Sequence, residues 1–368
     1  MNNLLESLFA CCEENGASDI HLSPGEVPRL RIRGELKAMT DYRAFDAETV
    51  DEIAMELGLA TLPVGSSDGS ERVRYLLLKE GALDGAVSSP SGARYRFNLF
   101  REMNRHAVAL RRLDARFRDF SELGLPRRIE GFCGERDGLV IVSGPTGSGK
   151  STTLATVINR INTVKMGHIV TIEDPVEYIH ASKKCLVRQR QVGRDAKSFN
   201  DALVEALRQD PDVILVGEMR DADTMRTALR AAETGHLVFT TMHAGDAAGA
   251  VERMISVFPA DEQPSVRHQL ALVLRGIVVQ HLLPTVDGRG RVPATELLVN
   301  TPAVANLIST GRPAQIYSLI ETGGQHAMCT LDESLASLVR RSLVEPSRAF
   351  ALSKNPEILK RRIGDAHR

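Results

Sequence analysis

The sequence predicts a two-domain α/β protein, a small α+β domain followed by a larger one built on a mostly parallel sheet. Three observations carry that reading. The chain has 368 residues, enough for two ordinary cores. Its first third contains short Arg-rich segments, over residues 28–36 and 93–100, that alternate in the two-residue period of half-buried strands. Beyond a boundary near Ser121, apolar runs of strand length alternate with helix-period segments and Gly-rich turns.

In the first domain, residues 4–12 and 47–57 read as helices beside those strands. In the second, residues 138–143 form an apolar strand that runs into a glycine loop and then a helix. Strands over residues 168–174, 212–218 and 236–243 follow, with helical segments between them. Such alternation requires right-handed crossovers and covers the sheet on both faces, which is the RecA-like layout. After Asp261 only residues 282–288 and 294–299 look extended, and the chain from Thr301 onward is expected to be a helical cap. The division expected is a first domain over 1–112, a linker over 113–126 and a second domain over 127–368, helical from about 301.

Composition narrows the function classes. Apolar residues make up 43% and charged residues 25%, the mixture of a folded globular protein rather than a disordered one. With 46 basic and 47 acidic side chains the formal charge is −1, so no global field draws the chain to nucleic acid or to an anionic bilayer. The first residues have Glu6 inside their apolar stretch and no basic start, and no apolar window reaches membrane-spanning length, so a cytoplasmic protein without direct membrane insertion is expected. The 5 cysteines, Cys11, Cys12, Cys133, Cys185 and Cys329, contain no C-x-x-C and imply reduced thiols rather than a disulfide framework or a zinc site.

The strongest chemical signal is Gly144-Pro145-Thr146-Gly147-Ser148-Gly149-Lys150-Ser151, which fills G-x-x-x-x-G-K-[ST] between an expected strand and an expected helix. The glycines let backbone N–H groups converge on phosphate, and the following helix aims its positive end at the same charge. Lys150 reaches the β and γ phosphates, Ser151 supplies a hydroxyl to Mg²⁺, and Thr152 follows on the same turn. ATP and Mg²⁺ are therefore the expected ligands. A phosphate loop is shared by kinases, GTPases, helicases and motors, so the remaining strands must decide among them.

The strand over residues 212–216 ends at Gly217-Glu218, which puts a carboxylate at the edge of the sheet where open α/β folds bind ligands. Glu218 is the candidate general base. Residues 168–174 end in Glu173 and Asp174, with Glu177 close behind and Pro175 forcing a turn. A cluster of this kind serves equally as a polar turn or as a site for metal-bound water.

These segments, with Gly16-Ala17-Ser18-Asp19-Ile20-His21-Leu22 near the start and the stretch from Ala231 to His243, resemble the bacterial type II/IV secretion ATPases and, within them, the PilT-type pilus retraction ATPases of twitching motility. The resemblance covers nearly the whole chain. It implies an N-terminal PAS-like domain, a RecA-like second domain and a homo-hexameric ring that hydrolyses ATP. It also implies that Glu218 is the catalytic glutamate, that Glu173, Asp174 and Glu177 lie near metal and water, and that His236 and His243 contact the nucleotide as sensors. Read from the residues alone, two histidines on and beyond a core strand are more often packed than catalytic.

Arg94, Arg96, Arg105, Arg111 and Arg112 resemble the family's arginines ahead of its interdomain linker, and Arg96 and Arg111 are the ones expected to meet phosphate across a subunit boundary. Pairing with nearby acids is the alternative for each. The resemblance further implies an inner-membrane platform protein as partner, with a paralogous pilus ATPase as another, and a location at the inner-membrane face of a pilus machine. The sister branch of extension and secretion ATPases generally carries a four-cysteine zinc element and an extra N-terminal domain, neither of which is expected here. One departure stands out: where retraction ATPases have A-I-R-N-L-I-R-E, this chain has Ala303-Val304-Ala305-Asn306-Leu307-Ile308-Ser309-Thr310. The apolar frame is kept and both arginines and the acid are lost. An accessory ring subunit and an assembly or secretion motor are the rival readings.

Overall fold

A computed structural model describes residues 3–32, 34–62, 68–113 and 116–364. The chain forms two compact units. One comprises Met1–Arg116 together with Glu173–Ile179 and Gln189–Ser198, and the other Phe117–Ile172, His180–Arg188 and Phe199–Arg368.

The first unit contains α1 (Asn3–Glu14), β1 (Asp19–Leu22), β2 (Arg29–Ile32), β3 (Glu35–Ala38), α2 (Ala47–Leu59), α3 (Gly69–Glu80), β4 (Ala82–Ser88), β5 (Arg94–Glu102) and β6 (Arg105–Leu113). Its strands make a 6-stranded antiparallel sheet in the order β3-β2-β1-β6-β5-β4. Alternation does the work the sequence suggested: Tyr95, Phe97 and Leu99 of β5 are buried while Arg96 between them is exposed. Those residues pack with Leu5, Leu8 and Phe9 of α1 and Val50, Ile53 and Leu57 of α2 in one core. Asp46 caps α2 by accepting the Thr49 N–H at 2.9 Å.

The second unit is ordered α4 (Arg127–Gly131), β7 (Gly138–Ser143), α5 (Lys150–Val164), β8 (His168–Glu173), β9 (Leu186–Gln191), α6 (Phe199–Ala206), β10 (Val213–Val216), α7 (Ala222–Glu233), β11 (Leu237–Met242), α8 (Ala247–Ser256), α9 (Gln263–Val273), β12 (Leu274–Pro284), β13 (Arg291–Val299), α10 (Pro302–Ser309), α11 (Ile316–Thr322), α12 (Leu331–Arg340), α13 (Pro346–Leu352) and α14 (Pro356–Gly364). The 7-stranded sheet runs β13-β12-β7-β11-β10-β8-β9. Strands β8, β10, β11, β7 and β12 pair in parallel, and β13 closes one edge antiparallel to β12. Every residue of β7, β10 and β11 is buried, as a sheet covered on both faces demands.

The α/β layout with a RecA-like second half and a β-rich first half is the one the sequence predicts. Two details differ from the expectation. The strand expected over 282–288 begins earlier and ends at Pro284, because Gly276 to Val279 are the residues clamped between β7 and β13. Strand β9 was not foreseen, since Leu-Val-Arg-Gln-Arg-Gln carries too few apolar residues to read as a strand of a covered sheet.

Candidate functional site

Parallel pairing of β7, β11 and β10 brings their carboxyl ends to one edge of the sheet, so the segments that follow them share that edge. After β7 comes the loop from Gly144 to Gly149. Gly144 has φ +140°, and a Cβ there would lie 2.2 Å from the Gln280 carbonyl oxygen, so only glycine fits. Gln280 of β12, itself 3% exposed, latches the loop: its Nε2 donates to Ser148 O at 2.6 Å, and its Oε1 accepts the Thr153 hydroxyl at 2.7 Å. The loop's far side is thereby tied both to the neighbouring strand and to the first turn of α5.

Lys150 opens α5, and its Nζ donates to the carbonyls of Gly144 at 2.9 Å and Pro145 at 3.0 Å, so the ammonium lies over the loop it follows. Burial pulls its pKa down, and the charge of Glu218 pulls it back up in part. Ser151 is exposed on the next position and Thr152 half-buried. Pro145, Thr146 and Gly147 are exposed at the loop's apex, beside a cavity of about 370 Å³ that Leu282, Leu283 and Arg348 help to line.

Glu218 follows β10 and accepts from Arg220 Nη2 at 2.7 Å, with His243 Nε2 3.5 Å from its other oxygen. Burial pushes its carboxyl up, but the Arg220 contact, His243 and Lys150 outweigh that and hold it below its ordinary value. It is therefore ionised at neutral pH. The backbone beneath it is pinned by the Thr241 hydroxyl, which donates to Gly217 O at 2.5 Å. His243 follows β11, and burial, then Lys150, depress its pKa against the pull of Glu218, which leaves the ring neutral at pH 7. The turn after it is fixed by Ser143, whose hydroxyl donates to Ala244 O at 3.0 Å and accepts the Ala244 N–H at 2.9 Å.

Lys150, Glu218 and His243 are thus gathered on one edge. His236 is not. It precedes β11, at the amino edge of the sheet, where its Nδ1 lies 2.9 Å from Ala231 O. At about 3.3 Å per strand residue it stands roughly 20 Å from the phosphate loop of its own chain. The expectation that His236 contacts that nucleotide is corrected: the strand between the two histidines carries them to opposite edges.

The acids Glu173, Asp174 and Glu177 and the arginines fall in the first unit. Glu173 accepts from Gln189 Nε2 at 3.2 Å, Asp174 is exposed, and Glu177 lies 4.0 Å from Arg96. Arg96 is also 3.9 Å from Asp84, Arg94 Nε donates to Val176 O at 3.2 Å, and Arg111 Nε donates to Asp19 at 2.8 Å. Arg96 and Arg111 are direct cross-strand partners on β5 and β6, so two like charges stand side by side on one face. Among the described residues no group of three or more His, Cys, Asp and Glu side chains is gathered to hold a metal ion by itself.

Gln280, Ser143, Thr241 and Arg220 escaped the sequence reading. A signal existed for two of them, since Gln280 interrupts the apolar run Ile277-Val278-Val279 and Ser143 ends a fully apolar strand. Such lone polar residues at buried positions are hydrogen-bonded to something.

Residues 91–334 match the family described as Type II/IV secretion system protein. The type IV pilus retraction ATPase PilT of Pseudomonas aeruginosa is 40% identical over 353 residues, 96% of this chain and 99% of that one. A twitching motility protein of Neisseria gonorrhoeae is 41% identical, covering 90% of this chain and 85% of its own length. The crystal structure of the pilus retraction motor PilT with bound ADP superposes with a TM-score of 0.86 at 42% identity, covering 97% of this chain and 98% of that chain.

Proposed function

The chain belongs to the type II/IV secretion system protein family, and on that premise we propose that it is an ATP-hydrolysing motor whose load is the retraction of a type IV pilus. The observation that carries the enzymatic part is Glu218, an ionised carboxylate on the same sheet edge as Lys150 with His243 3.5 Å away. The pilus load rests on the relatives named for retraction and twitching, which match this chain across nearly its whole length.

ATP binds with its β and γ phosphates on the loop from Gly144 to Ser151, exchanging the loop carbonyls for phosphate oxygens as partners of Lys150. Thr152, on the same turn, contacts the phosphates next to it. Glu218 orients the attacking water and takes its proton. His243, neutral and beside Glu218, reports the γ-phosphate by hydrogen bonding rather than by charge. Mg²⁺ would arrive with the nucleotide, held by its phosphates, the exposed Ser151 hydroxyl and water, with Asp174 and Glu177 as outer acids. There it would neutralise phosphate charge.

Six copies form the ring, and Arg96 and Arg111 of one copy meet the phosphates held by the next. The ring acts at the cytoplasmic face of the inner membrane through a platform protein of the pilus machine. No helix among the described residues is long and apolar enough to cross a membrane.

One observation favours a second reading, an accessory subunit that joins a paralogous pilus ATPase. Helix α10 buries Val304, Leu307 and Ile308 but presents Ala303, Ala305, Asn306 and Ser309 outward, without the charges of the retraction motif. Counting surface pili in cells lacking the gene separates the readings. Excess pili with lost twitching, reversed by the wild-type copy and not by Glu218→Gln, is the result expected of a retraction motor. Bald cells would make it an assembly motor, and rescue by Glu218→Gln would make it an accessory subunit.

A further inference from the structure

The sheet of the first unit carries a row of charge that the proposed reaction does not by itself explain. Strand β1 lies between β2 and β6, and register places Asp19 opposite both Arg31 and Arg111. Arg111 is in turn opposite Arg96 on β5. Directly opposed residues of antiparallel strands share a face, so Arg31, Asp19, Arg111 and Arg96 form one line across four strands. Arg111 and Arg96 stand side by side and repel, and the only acid in the line is Asp19.

Asp19 is 6% exposed although the arginines around it are not buried. Its two oxygens have different duties. Oδ2 accepts the Ser18 hydroxyl at 2.7 Å and lies 3.7 Å from Arg31 Nε. Oδ1 accepts from Arg111 Nε at 2.8 Å. The Arg111 side chain is 71% exposed, and among the described residues this is the one hydrogen bond it makes. A carboxylate that takes Nε, rather than the two terminal nitrogens, fixes the plane of the guanidinium and leaves its outer fork free. That fork is the part that matches a phosphate bidentately. Burial pushes the Asp19 carboxyl up, but the Ser18 hydroxyl, Arg111 and His21 bring it below its ordinary value, so the grip is ionic at neutral pH.

We infer that Asp19 is the positioning residue for Arg111: it holds the guanidinium from the side and aims the fork outward at a phosphate presented by a second copy of this chain. The inference rests on the reading of Arg111 as a group that acts across a subunit boundary. A purely structural salt bridge explains it less well, because a pair in which one side chain is largely solvated adds little stability.

The test uses full-length protein and compares steady-state Mg-ATP turnover of Asp19→Ala, Asp19→Asn, Arg111→Ala and the double variant, with ring assembly measured by mass photometry and binding of a fluorescent ATP analogue measured on each. Asp19→Ala is expected to lower kcat roughly ten- to a hundredfold, with KM and analogue binding little changed, as for a misaimed transition-state contact. Asp19→Asn, whose side-chain oxygen still accepts from Nε, is expected to recover most of that loss and also serves if the alanine variant folds poorly. The double variant should be no slower than Arg111→Ala alone. An Arg111→Ala enzyme with full turnover overturns the underlying role of the arginine. A slow Arg111→Ala beside a fully active Asp19→Ala, or losses that multiply in the double variant, overturns the positioning role alone.

Discussion

The phosphate edge of the seven-stranded sheet and the arginine row of the six-stranded sheet use opposite designs. At the phosphate edge each working group is backed by buried polar contacts within the same unit: Gln280 on the loop, Thr241 under Glu218, Ser143 behind His243. In the arginine row the working groups are 45% and 71% exposed and are held by acids at their bases or flanks. A buried, latched site has its geometry set before any ligand arrives, whereas an exposed row completes its contacts only when something is brought to it. On the proposed reading, the first region determines whether chemistry occurs and the second whether it is coupled to a neighbour.

The sharpest way to break this comparison is at Glu218. Glu218→Gln keeps the shape and loses the base, and turnover is expected to fall by about 10²–10⁴ with analogue binding and assembly retained. A variant with unchanged kcat would remove the phosphate edge from the chemistry. A second break concerns pH. His180 is 8% exposed and packs on Phe117 at 4.7 Å, and burial, with Lys183 nearby, lowers its pKa from 6.5 to about 4. The folded chain then binds fewer protons than the unfolded chain between those values, so this contribution to stability is complete above pH 6.5 and is lost as pH falls toward 4. Urea unfolding is expected to show a loss of about 2 kcal/mol between pH 7.5 and pH 5, at roughly 1.4 kcal/mol per pK unit, that His180→Phe removes. An equal loss in that variant would assign the pH dependence elsewhere.

Gln280→Ala should cost about 1–3 kcal/mol, because it leaves Ser148 O and the Thr153 hydroxyl without their buried partner. If the latch orders the loop, KM for Mg-ATP rises along with the loss in unfolding midpoint. A variant that lost stability with KM unchanged would show the latch to be packing alone. Arg96→Ala is expected to have the smallest effect, on the order of tenfold in turnover of the assembled ring and none on analogue binding by separate subunits. Equal binding loss in separate subunits would give Arg96 a local role and erase the contrast between the two regions.

Much of this was legible in advance. The phosphate loop, the carboxylate after β10 and the strand and helix order follow from local rules: glycine where backbone must approach closely, apolar runs where both faces are covered, periodicity where one is. The loop's identity needs no tertiary knowledge, since Gly144 to Ser151 is contiguous and its chemistry is carried by backbone. The latches were not legible, because Gln280 meets Ser148 across a separation of 132 residues and Ser143 meets Ala244 across 101. Pairing at such distance is set by which strands become neighbours, and sequence periodicity says nothing of neighbours.

The histidines make the same point in one strand. Sequence placed His236 and His243 together at the ends of one apolar run, and that run was read correctly as a strand. Only the parallel sheet decided that its carboxyl end faces the phosphate loop and its amino end does not, since an extended chain separates its ends by about 3.3 Å per residue. Asp19 is the complementary case: 92 residues from Arg111 along the chain, it became that arginine's partner through strand register alone. The sequence by itself determined which chemical groups this protein owns and what backbone each sits on; the tertiary structure decided which of them meet, because hydrogen bonds and ion pairs act over a few ångströms and only packing brings distant segments that close.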